Sequence, residues 1–166
     1  MTDVDGDAER GWFELRRVTD EAWQLWRDVR LRALADAPYA FGSTLAYWQG
    51  ADLEQRWRDR LTDVPLNVVA VAGDSPIAQV SGTAVDGEGR VELISMWVDA
   101  GARGAGVGEA LVTEVVEWAR TSGAAAVVLS VKEMNTPASA LYRRMGFDRT
   151  DERADEGEMR MQVSLE

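Results

Sequence analysis

The chain of 166 residues is 46% hydrophobic and 28% charged, which is the composition of a single soluble globular domain with a sizeable core. It contains no cysteine and no histidine, which excludes disulfides, thiolate nucleophiles, the usual zinc sites and histidine-based catalytic triads. With 29 acidic and 18 basic residues the formal net charge is −11. This charge argues against nucleic acid as a partner and favours a cationic ligand such as an amine, although a generally acidic proteome would explain it equally.

Residues 1–10 are rich in acidic side chains and are expected to form a disordered tail ahead of a folded domain that covers residues 11–166. The start of the chain lacks the basic and then apolar layout of a signal peptide. No apolar run approaches the roughly 18 residues of a membrane span. We therefore expect a cytoplasmic protein that does not enter a membrane.

A predicted strand and helix are followed by an irregular segment rich in aromatic residues. Residues 12–18 predict the strand, and the apolar stripe after it predicts a helix over residues 20–35 that Pro38 ends. Residues 36–50 are irregular and aromatic-rich. Two interpretations of this segment remain open: a short second helix with the rim of a substrate pocket, or aromatic packing of two helices onto a sheet.

A further helix and a hairpin are predicted next. The helix covers residues 51–61. Its apolar face is formed by Leu53, Trp57 and Leu61. Strands at residues 66–72 and 77–85 are separated by Gly-Asp-Ser-Pro, a turn signal, so they are expected to pair as antiparallel neighbours.

The chain is organised around residues 91–119, which read as a strand, a glycine-rich turn and a helix. The strand, residues 91–98, is apolar and rich in β-branched and aromatic residues. Four of the eight residues from Gly101 to Gly108 are glycine, and the apolar residues after them recur at helical spacing. Alternation along the strand predicts two sides, unless a bulge changes the phase. One side holds Glu92, Ile94, Met96 and Val98, and the other holds Leu93, Ser95 and Trp97.

The last third of the chain predicts a parallel strand, a helix and a final hairpin. A nearly all-apolar strand at residues 125–131 follows the central helix, so it should run parallel to the strand at residues 91–98. The helix at residues 135–144 starts at its own capping residue. Strands at residues 147–152 and 158–165 close the chain. The whole pattern indicates one α+β domain built on a mixed sheet.

The glycine-rich turn has the physical features of an anion site. Glycines let the backbone approach a ligand closely, and the first N–H groups of the helix have no partner at the positive end of its dipole. Arg103 could add a charge-assisted contact to a phosphate held there. A P-loop would need Lys-Ser/Thr where Val107 and Gly108 stand, and a dinucleotide fold needs G-x-G-x-x-G, whereas Gly104, Gly106 and Gly108 give G-x-G-x-G.

Two motifs resemble a single known family. The sequence Arg-Gly-Ala-Gly-Val-Gly at residues 103–108 fits R/Q-x-x-G-x-G/A and resembles the pyrophosphate-binding motif of the GNAT superfamily of N-acetyltransferases, which use acetyl-coenzyme A. On this motif alone, a tight turn whose glycines serve only packing is an alternative. Residues 135–147 are similar to the second GNAT signature, N-x-x-A-x-x-L-Y-x-x-x-G-F, with every fixed position filled. The chain departs from the family at Ala100, where many members have proline.

The resemblance implies a GNAT-like α+β fold with a central, mixed and mostly antiparallel sheet of about six or seven strands and about four helices. It implies that acetyl-CoA lies where the parallel fourth and fifth strands splay apart. Tyr142 would be the acid for the departing thiolate, and Asn135 would hydrogen-bond the pantetheine arm. The other residues expected at the cofactor are Met96, Trp97, Val98, Arg103, Gly104, Ala105, Gly106, Val107, Gly108, Glu109 and Ala138.

A base is also expected, because an alkylamine of pKa near 10.4 costs about 4.6 kcal/mol to deprotonate at neutral pH. With no histidine in the chain, a carboxylate is the natural candidate. Several family members carry a glutamate base at the position of Glu92; the alternative is a solvated carboxylate at a strand end. Glu133 is the second choice. For Tyr142 the alternative is an aromatic ring packed beneath the cofactor.

The function that the resemblance implies is direct acetyl transfer from acetyl-CoA to a primary amine of a small molecule, without an acyl-enzyme. Acetylation of a protein N-terminus or lysine is one alternative, and a non-catalytic acetyl-CoA-binding regulatory module is another. Intact Asn135 and Tyr142 argue against the module, because a binder needs no acid at the sulfur. The expected partners are acetyl-CoA and an amine, and family analogy adds a homodimer.

Overall fold

The computed structural model describes residues 11–36, 45–50 and 52–165. The acidic tail predicted for residues 1–10 lies outside the described residues, and so do residues 37–44, which include much of the aromatic-rich segment. Within the described ranges, no helix combines the length and the apolar character that crossing a lipid bilayer requires.

Seven strands make up one sheet: β1 Glu14–Arg17, β2 Leu66–Ala72, β3 Ser75–Gly82, β4 Arg90–Val98, β5 Ala126–Lys132, β6 Asp148–Arg149 and β7 Glu158–Ser164. Their order across the sheet is β1-β2-β3-β4-β5-β7-β6. Every neighbouring pair is antiparallel except β4 and β5, which are parallel as the strand–helix–strand order predicted. The predicted mixed and mostly antiparallel α+β fold is therefore confirmed.

Five α-helices accompany the sheet in the described ranges: α1 Trp23–Asp36, α2 Leu45–Gly50, α3 Glu54–Asp63, α4 Val107–Thr121 and α5 Thr136–Arg144. The predicted buried face of α3 was wrong at one position. Leu53 precedes the first helical residue and is 64% exposed, whereas Trp57 and Leu61 are buried. Because Leu53 lies outside the helix, the helical spacing does not place its side chain on the buried stripe.

The helices cover the sheet on two faces. On the first, called the α4 face, the apolar stripe of α4 packs against the sheet and against α5; its buried members include Leu111, Val115, Val127, Tyr142 and Phe147. The second, called the α1–α3 face, is dominated by indole rings; its buried members include Trp26, Trp48, Trp57 and Trp97. Burying large aromatic rings removes much apolar area from water, so each face of the sheet has its own hydrophobic core.

The sheet opens between its two parallel strands. β4 and β5 pair at only three positions, from Arg90 with Ala126 to Glu92 with Val128. Beyond Glu92 the edge of β4 that faces β5 has no strand partner, although β5 continues to pair with β7. The residues of β4 that follow are partly exposed in the middle of the sheet, namely Ile94, Ser95 and Met96. An extended ligand could therefore enter the sheet here.

A β-bulge lies in β4 at the start of this opening. Ser81 faces Ile94 and Gln79 faces Trp97, so β4 uses one residue more than β3 over the same interval. Ser95 has φ +58°, which is unusual for a residue other than glycine.

The bulge breaks the predicted alternation along β4. Met96 and Val98 pack on the α4 face together with Val91 and Leu93, whereas Trp97 is buried on the α1–α3 face. The predicted grouping of Met96 with Glu92 was wrong, because the extra residue inverts the phase of the strand after Ile94.

Candidate active site

The glycine-rich loop follows β4 through a short 3-10 turn at Ala100–Ala102 and leads into α4. Gly104 has φ +78° and Gly106, the N-cap residue of α4, has φ +86°. Both values lie in the left-handed region, where a side chain with a Cβ is strained. No atom lies within 4 Å of the position that a Cβ would take on Gly104, so the outer side of the loop is open.

The backbone N–H groups of residues 104–109 stand at the start of α4, where no intrahelical acceptor exists for them. Gly106 makes no side-chain cap, and the first bond of the helix runs from the N–H of Ala110 to the carbonyl oxygen of Gly106 at 3.1 Å. No hydrogen bond within the described part of the chain occupies the amides of residues 104–109. A row of free amides at the positive end of a helix dipole can hold a phosphate group.

Arg103 lies beside these amides. Its Nε donates to the carbonyl oxygen of Val98 at 3.0 Å, and its Nη2 lies 3.5 Å from a carboxylate oxygen of Asp36. The same oxygen of Asp36 accepts a 2.9 Å hydrogen bond from Nε1 of Trp97. The side chain of Arg103 is 56% exposed, so an anion on the loop could reach it. Asp36, the last residue of α1, was not singled out from the sequence.

Gly108 has a packing role as well as a place in the loop. A Cβ on Gly108 would lie 2.9 Å from Cδ2 of Leu141 and 3.7 Å from Cε of Met96. This close approach brings β4, the start of α4 and α5 together at one point. The packing alternative for the glycines therefore holds at Gly108, whereas Gly104 and Gly106 are required by backbone conformation.

Tyr142 is placed next to this point by α5. It is 5% exposed, and its ring packs 5.9 Å from the ring of Phe147. Its hydroxyl makes no hydrogen bond to the described part of the chain. Burial raises the pKa of Tyr142 well above its ordinary value of 10.0, because the low-dielectric surroundings disfavour the phenolate. Tyr142 thus has a buried ring and a protonated hydroxyl that makes no hydrogen bond within the described residues.

Asn135 is the N-cap of α5, as its position before Pro137 indicated. Its Oδ1 accepts from the backbone N–H of Ala138 at 3.3 Å, and its own N–H donates to the carbonyl oxygen of Lys132 at 2.9 Å. The carbonyl end of the side chain is therefore used in the cap. Its amide nitrogen has no hydrogen bond to the described residues and remains able to donate to a ligand.

Glu92 stands at the last paired position before β4 and β5 separate. Because Val91 and Leu93 pack on the α4 face, Glu92 projects from the opposite face to Tyr142. Its Oε2 accepts from Nη1 of Arg160 at 3.1 Å, and its side chain is 39% exposed. Glu92 is therefore a half-exposed carboxylate that pairs with an arginine of β7. This pairing could not be predicted from the sequence, because the two residues are far apart in the chain.

Another network lies beneath the bulge on the α1–α3 face, and sequence reasoning missed it. Nη2 of Arg60 donates to Oγ of Ser95 at 3.2 Å and to Oγ of Ser81 at 3.1 Å, and its Nη1 donates to Oδ1 of Asn67 at 2.9 Å. Nε2 of Gln79, fully buried, donates to the backbone carbonyl of Ser95 at 2.8 Å. The periodicity of these strands and this helix predicts which apolar residues are buried and says nothing about buried polar ones. The hydrogen bonds between these polar side chains could have been predicted only from the register in which the strands pair.

The fold and the loop define a protein that presents main-chain donors to an anion beside a split between two parallel strands. The sequence matches the Acetyltransferase (GNAT) family over residues 17–147. The chain belongs to this family.

Individual relatives agree with this assignment. A mycothiol acetyltransferase of Thermobifida fusca is 34% identical over 134 residues, which are 75% of this chain and 40% of that protein. A streptothricin acetyltransferase of Streptomyces lavendulae is 35% identical over 80 residues, 48% of this chain and 42% of that protein. The PaiA N-acetyltransferase of Thermoplasma acidophilum, solved in complex with coenzyme A, has a similar fold with a TM-score of 0.73, at 16% identity over 92% of this chain and 98% of that one. This chain spans less than half the length of the two curated relatives.

Proposed function

We propose that this protein is an acetyl-CoA-dependent N-acetyltransferase that transfers the acetyl group directly to a primary amine of a small molecule. The observation that carries the proposal is the row of amides at residues 104–109, which have no protein acceptor in the described part of the chain and lie beside the opening of the sheet. A coenzyme with a diphosphate at one end and an amide-containing arm at the other suits both features. The coenzyme A complex of PaiA supports this assignment, and so do the names of the two curated relatives.

The residues of β4 would hold the arm of the coenzyme. The edge of β4 beyond Glu92 lacks a strand partner, so the backbone of Met96 and the N–H of Val98 are available to amides of the pantetheine, whereas Trp97 pairs with Gln79 of β3. Asn135 would donate its side-chain amide to the same arm, and Ala138 leaves room beside it because its side chain is small. Arg103 and the amides of residues 104–109 would bind the diphosphate.

Bound acetyl-CoA supplies the acetyl group as a thioester, whose carbonyl carbon forms a bond to the amine nitrogen as the bond to sulfur breaks. A backbone N–H of β4 at Met96 or Trp97 would stabilise the negative charge on the carbonyl oxygen. Tyr142 would give its proton to the departing sulfur and regain one from solvent. Glu92, directly or through water, would accept the proton that the amine loses. The absence of cysteine fits direct transfer, since the easiest covalent carrier is missing.

A cavity supports a small acceptor rather than a protein. It has a volume of about 380 Å³ and lies between α2 and α3; we call it the α3 cavity. Its lining residues are Trp48, Arg56, Asp59, Arg60 and Asp63. This volume is in the range of small-molecule sites, and Arg60 connects the cavity to Ser95 of the β4 bulge.

The test is a release assay with acetyl-CoA and a panel of amines, in which the free thiol of coenzyme A is measured. The protein contributes no background, because it has no cysteine. We expect thiol release with at least one small primary amine and an acetylated product of matching mass. Thiol release only with peptides would replace the small acceptor by a protein acceptor. Coenzyme A binding without release for any amine or peptide would leave the regulatory module as the function.

A further inference from the structure

The α3 cavity contains a guanidinium in a fixed position. Arg60 is held by three hydrogen bonds, to Asn67, Ser81 and Ser95, and its guanidinium lies 5.1 Å from the ring centre of Trp26. Asn67 is itself fixed, because it donates to the carbonyl oxygen of Val64 at 2.7 Å and accepts from Ser81 at 2.7 Å. A cation whose orientation is fixed in advance loses little freedom when it binds a ligand.

The charge of Arg60 has no direct counter-ion. All three of its hydrogen-bond acceptors are neutral, and no carboxylate of the described residues lies within ion-pair distance of it. Asp63 acts on it only at longer range. Burial lowers the pKa of Arg60 to about 10, because the charged form has lost part of its hydration. A guanidinium has five N–H donors, so two remain after these three bonds.

A second arginine strengthens the positive potential at this place. Arg30 of α1 is 7% exposed, and its pKa falls to about 10 because of burial and because of the nearby charge of Arg60. Water screens charges in a poorly hydrated region less than it screens charges on the surface. The protein as a whole has a net charge of −11, so this potential is local.

The acidic members of the cavity do not cancel this attraction. Asp59 and Asp63 are exposed residues of α3, the helix that also carries Arg60. Asp59 accepts a hydrogen bond from Gln55 at 2.7 Å. Exposed charges are screened by water and salt more strongly than the half-buried Arg60. The cavity therefore presents a cation inside and carboxylates at its rim, which suits a molecule that carries both an anion and an ammonium group.

The position of Arg60 relates this anion site to the reaction. Arg60 bonds directly to Ser95, and the residue after Ser95 is Met96, whose backbone is proposed to hold the arm of the coenzyme. A ligand anion on Arg60 would thus lie within a short distance of the place where the amine reacts.

Resting on the proposed function, we propose that the acceptor is a primary amine that also carries a carboxylate at a short spacing, as an amino acid does. Arg60 binds the carboxylate inside the α3 cavity. Removal of the carboxylate removes a charge-assisted contact. It also lowers the pKa of the amine and so raises the fraction of free amine, which means that a slower amide reports the lost contact.

The first experiment compares each member of a panel of amino acids with its primary amide, which keeps the amine and removes the anion. The release of coenzyme A thiol gives kcat/KM for both. We expect the acids to exceed their amides by about tenfold or more, the range for one hydrogen bond to a charged group. Equal values for acids and amides would overturn the proposal.

Matched variants test whether Arg60 causes the difference in kcat/KM between acids and amides. Arg60→Gln should reduce the ratio of acid to amide to about one, and Arg60→Lys should keep part of it because the charge remains. Arg56→Gln is the control: this residue lines the same cavity from the same helix, but it stacks over the rings of Tyr47 and Trp48. It should keep most of the ratio. A fall of acid and amide rates by the same factor in Arg60→Gln would mean that Arg60 only supports the bulge.

A binding experiment separates this proposal from the proposed function. N-acetyl amino acids and their amides are titrated at constant ionic strength, and the intrinsic tryptophan fluorescence, to which Trp26 beneath Arg60 contributes, reports binding. The acid should bind about tenfold more tightly than the amide, and Arg60→Gln should remove the difference. This comparison needs no turnover, so it holds even if every amine fails to release thiol. Equal affinity of acid and amide would refute the anion site, whatever the release assay gives.

Discussion

One added methyl group tests whether residues 104–109 bind the diphosphate. Gly104 and Gly106 have φ of +78° and +86°, and Gly123 has φ +83°. A Cβ on Gly104 or Gly123 meets nothing within 4 Å, and on Gly106 it meets only a carboxylate oxygen of Glu109 at 3.9 Å. Alanine at each position is therefore strained by its backbone conformation rather than by collision. Gly123 lies beyond the other end of α4, which makes Gly123→Ala a matched control.

The three variants should lose similar stability. An alanine in the left-handed region costs about 1–2 kcal/mol relative to its preferred conformation. For a chain of this size each kcal/mol lowers the melting temperature by about 2–4 °C. Their affinities for coenzyme A should differ. At Gly104 and Gly106 the methyl group enters the space above the free amides, and the loss of one hydrogen bond to a charged group, worth about 1.5–3 kcal/mol, weakens coenzyme A binding about 10- to 150-fold.

Calorimetric titration with coenzyme A measures the affinity, and thermal unfolding followed by circular dichroism measures the stability. Gly123→Ala should bind coenzyme A like the unaltered protein although it melts at a lower temperature. Unchanged affinity in both Gly104→Ala and Gly106→Ala would refute the loop as the diphosphate site. An equal loss of affinity in Gly123→Ala would show that general destabilisation, not the loop, controls binding.

Four further predictions follow from ionisable groups. Tyr142→Phe should reduce kcat about 100-fold and leave coenzyme A affinity unchanged, since only the hydroxyl is removed; release and titration assays check this. Because burial raises the pKa of Tyr142, the neutral phenol stabilises the fold fully below pH 10, and this contribution falls as pH rises above 10. Urea unfolding from pH 8 to 11 should show the fall in the unaltered protein and not in Tyr142→Phe. Glu92→Gln should abolish the acidic limb of the pH–rate profile, and a limb that persists would exclude Glu92 as the base. Asp52 has its pKa lowered to about 2 by hydrogen bonds from Arg27 and Trp57, so its contribution to stability is present above its ordinary pKa of 3.8 and is lost as pH falls toward 2. Acid unfolding should therefore be shallower in Asp52→Asn, and an unchanged acid limb would contradict the assigned hydrogen bonds.

The parts of the fold that could be predicted are those whose physical cause is local. Gly104 and Gly106 adopt positive φ, and the loop that contains them does start a helix. Asn135 caps α5 through the backbone N–H of Ala138, three residues later. The apolar character of the strand at residues 126–132 correctly predicted its place inside the sheet. In each case the local structure follows from the type of one residue and from its neighbours within a few positions in the sequence.

The parts that could not be predicted depend on contacts between distant segments. Arg160 pairs with Glu92 from β7, and its place there follows from the strand order, which the sequence does not state. An arginine in a surface helix is usually expected to point into solvent. Arg60 instead donates hydrogen bonds to Ser81 in β3 and Ser95 in β4. The bulge itself needs the register of β3 against β4. Alternation places Met96 on the face of Glu92 unless a bulge intervenes, and only the register shows that a bulge is present.

This bulge determines how the two proposed ligands are divided between the faces of the sheet. Without it, Met96 would project toward the indole-rich α1–α3 face and Trp97 toward α4. With it, Met96 meets Gly108 on the face that carries the glycine-rich loop, and Trp97 turns to the other face and bonds to Asp36 at the end of α1. Ser95, at the turning point, takes a conformation that few residues other than glycine adopt, and its hydroxyl and carbonyl are both held from the α1–α3 face. One inserted residue thus gives the two sides of β4 different surroundings, with the glycine-rich loop on one and Arg60 on the other, and the hydroxyl of Ser95 is one of the three acceptors that fix Arg60.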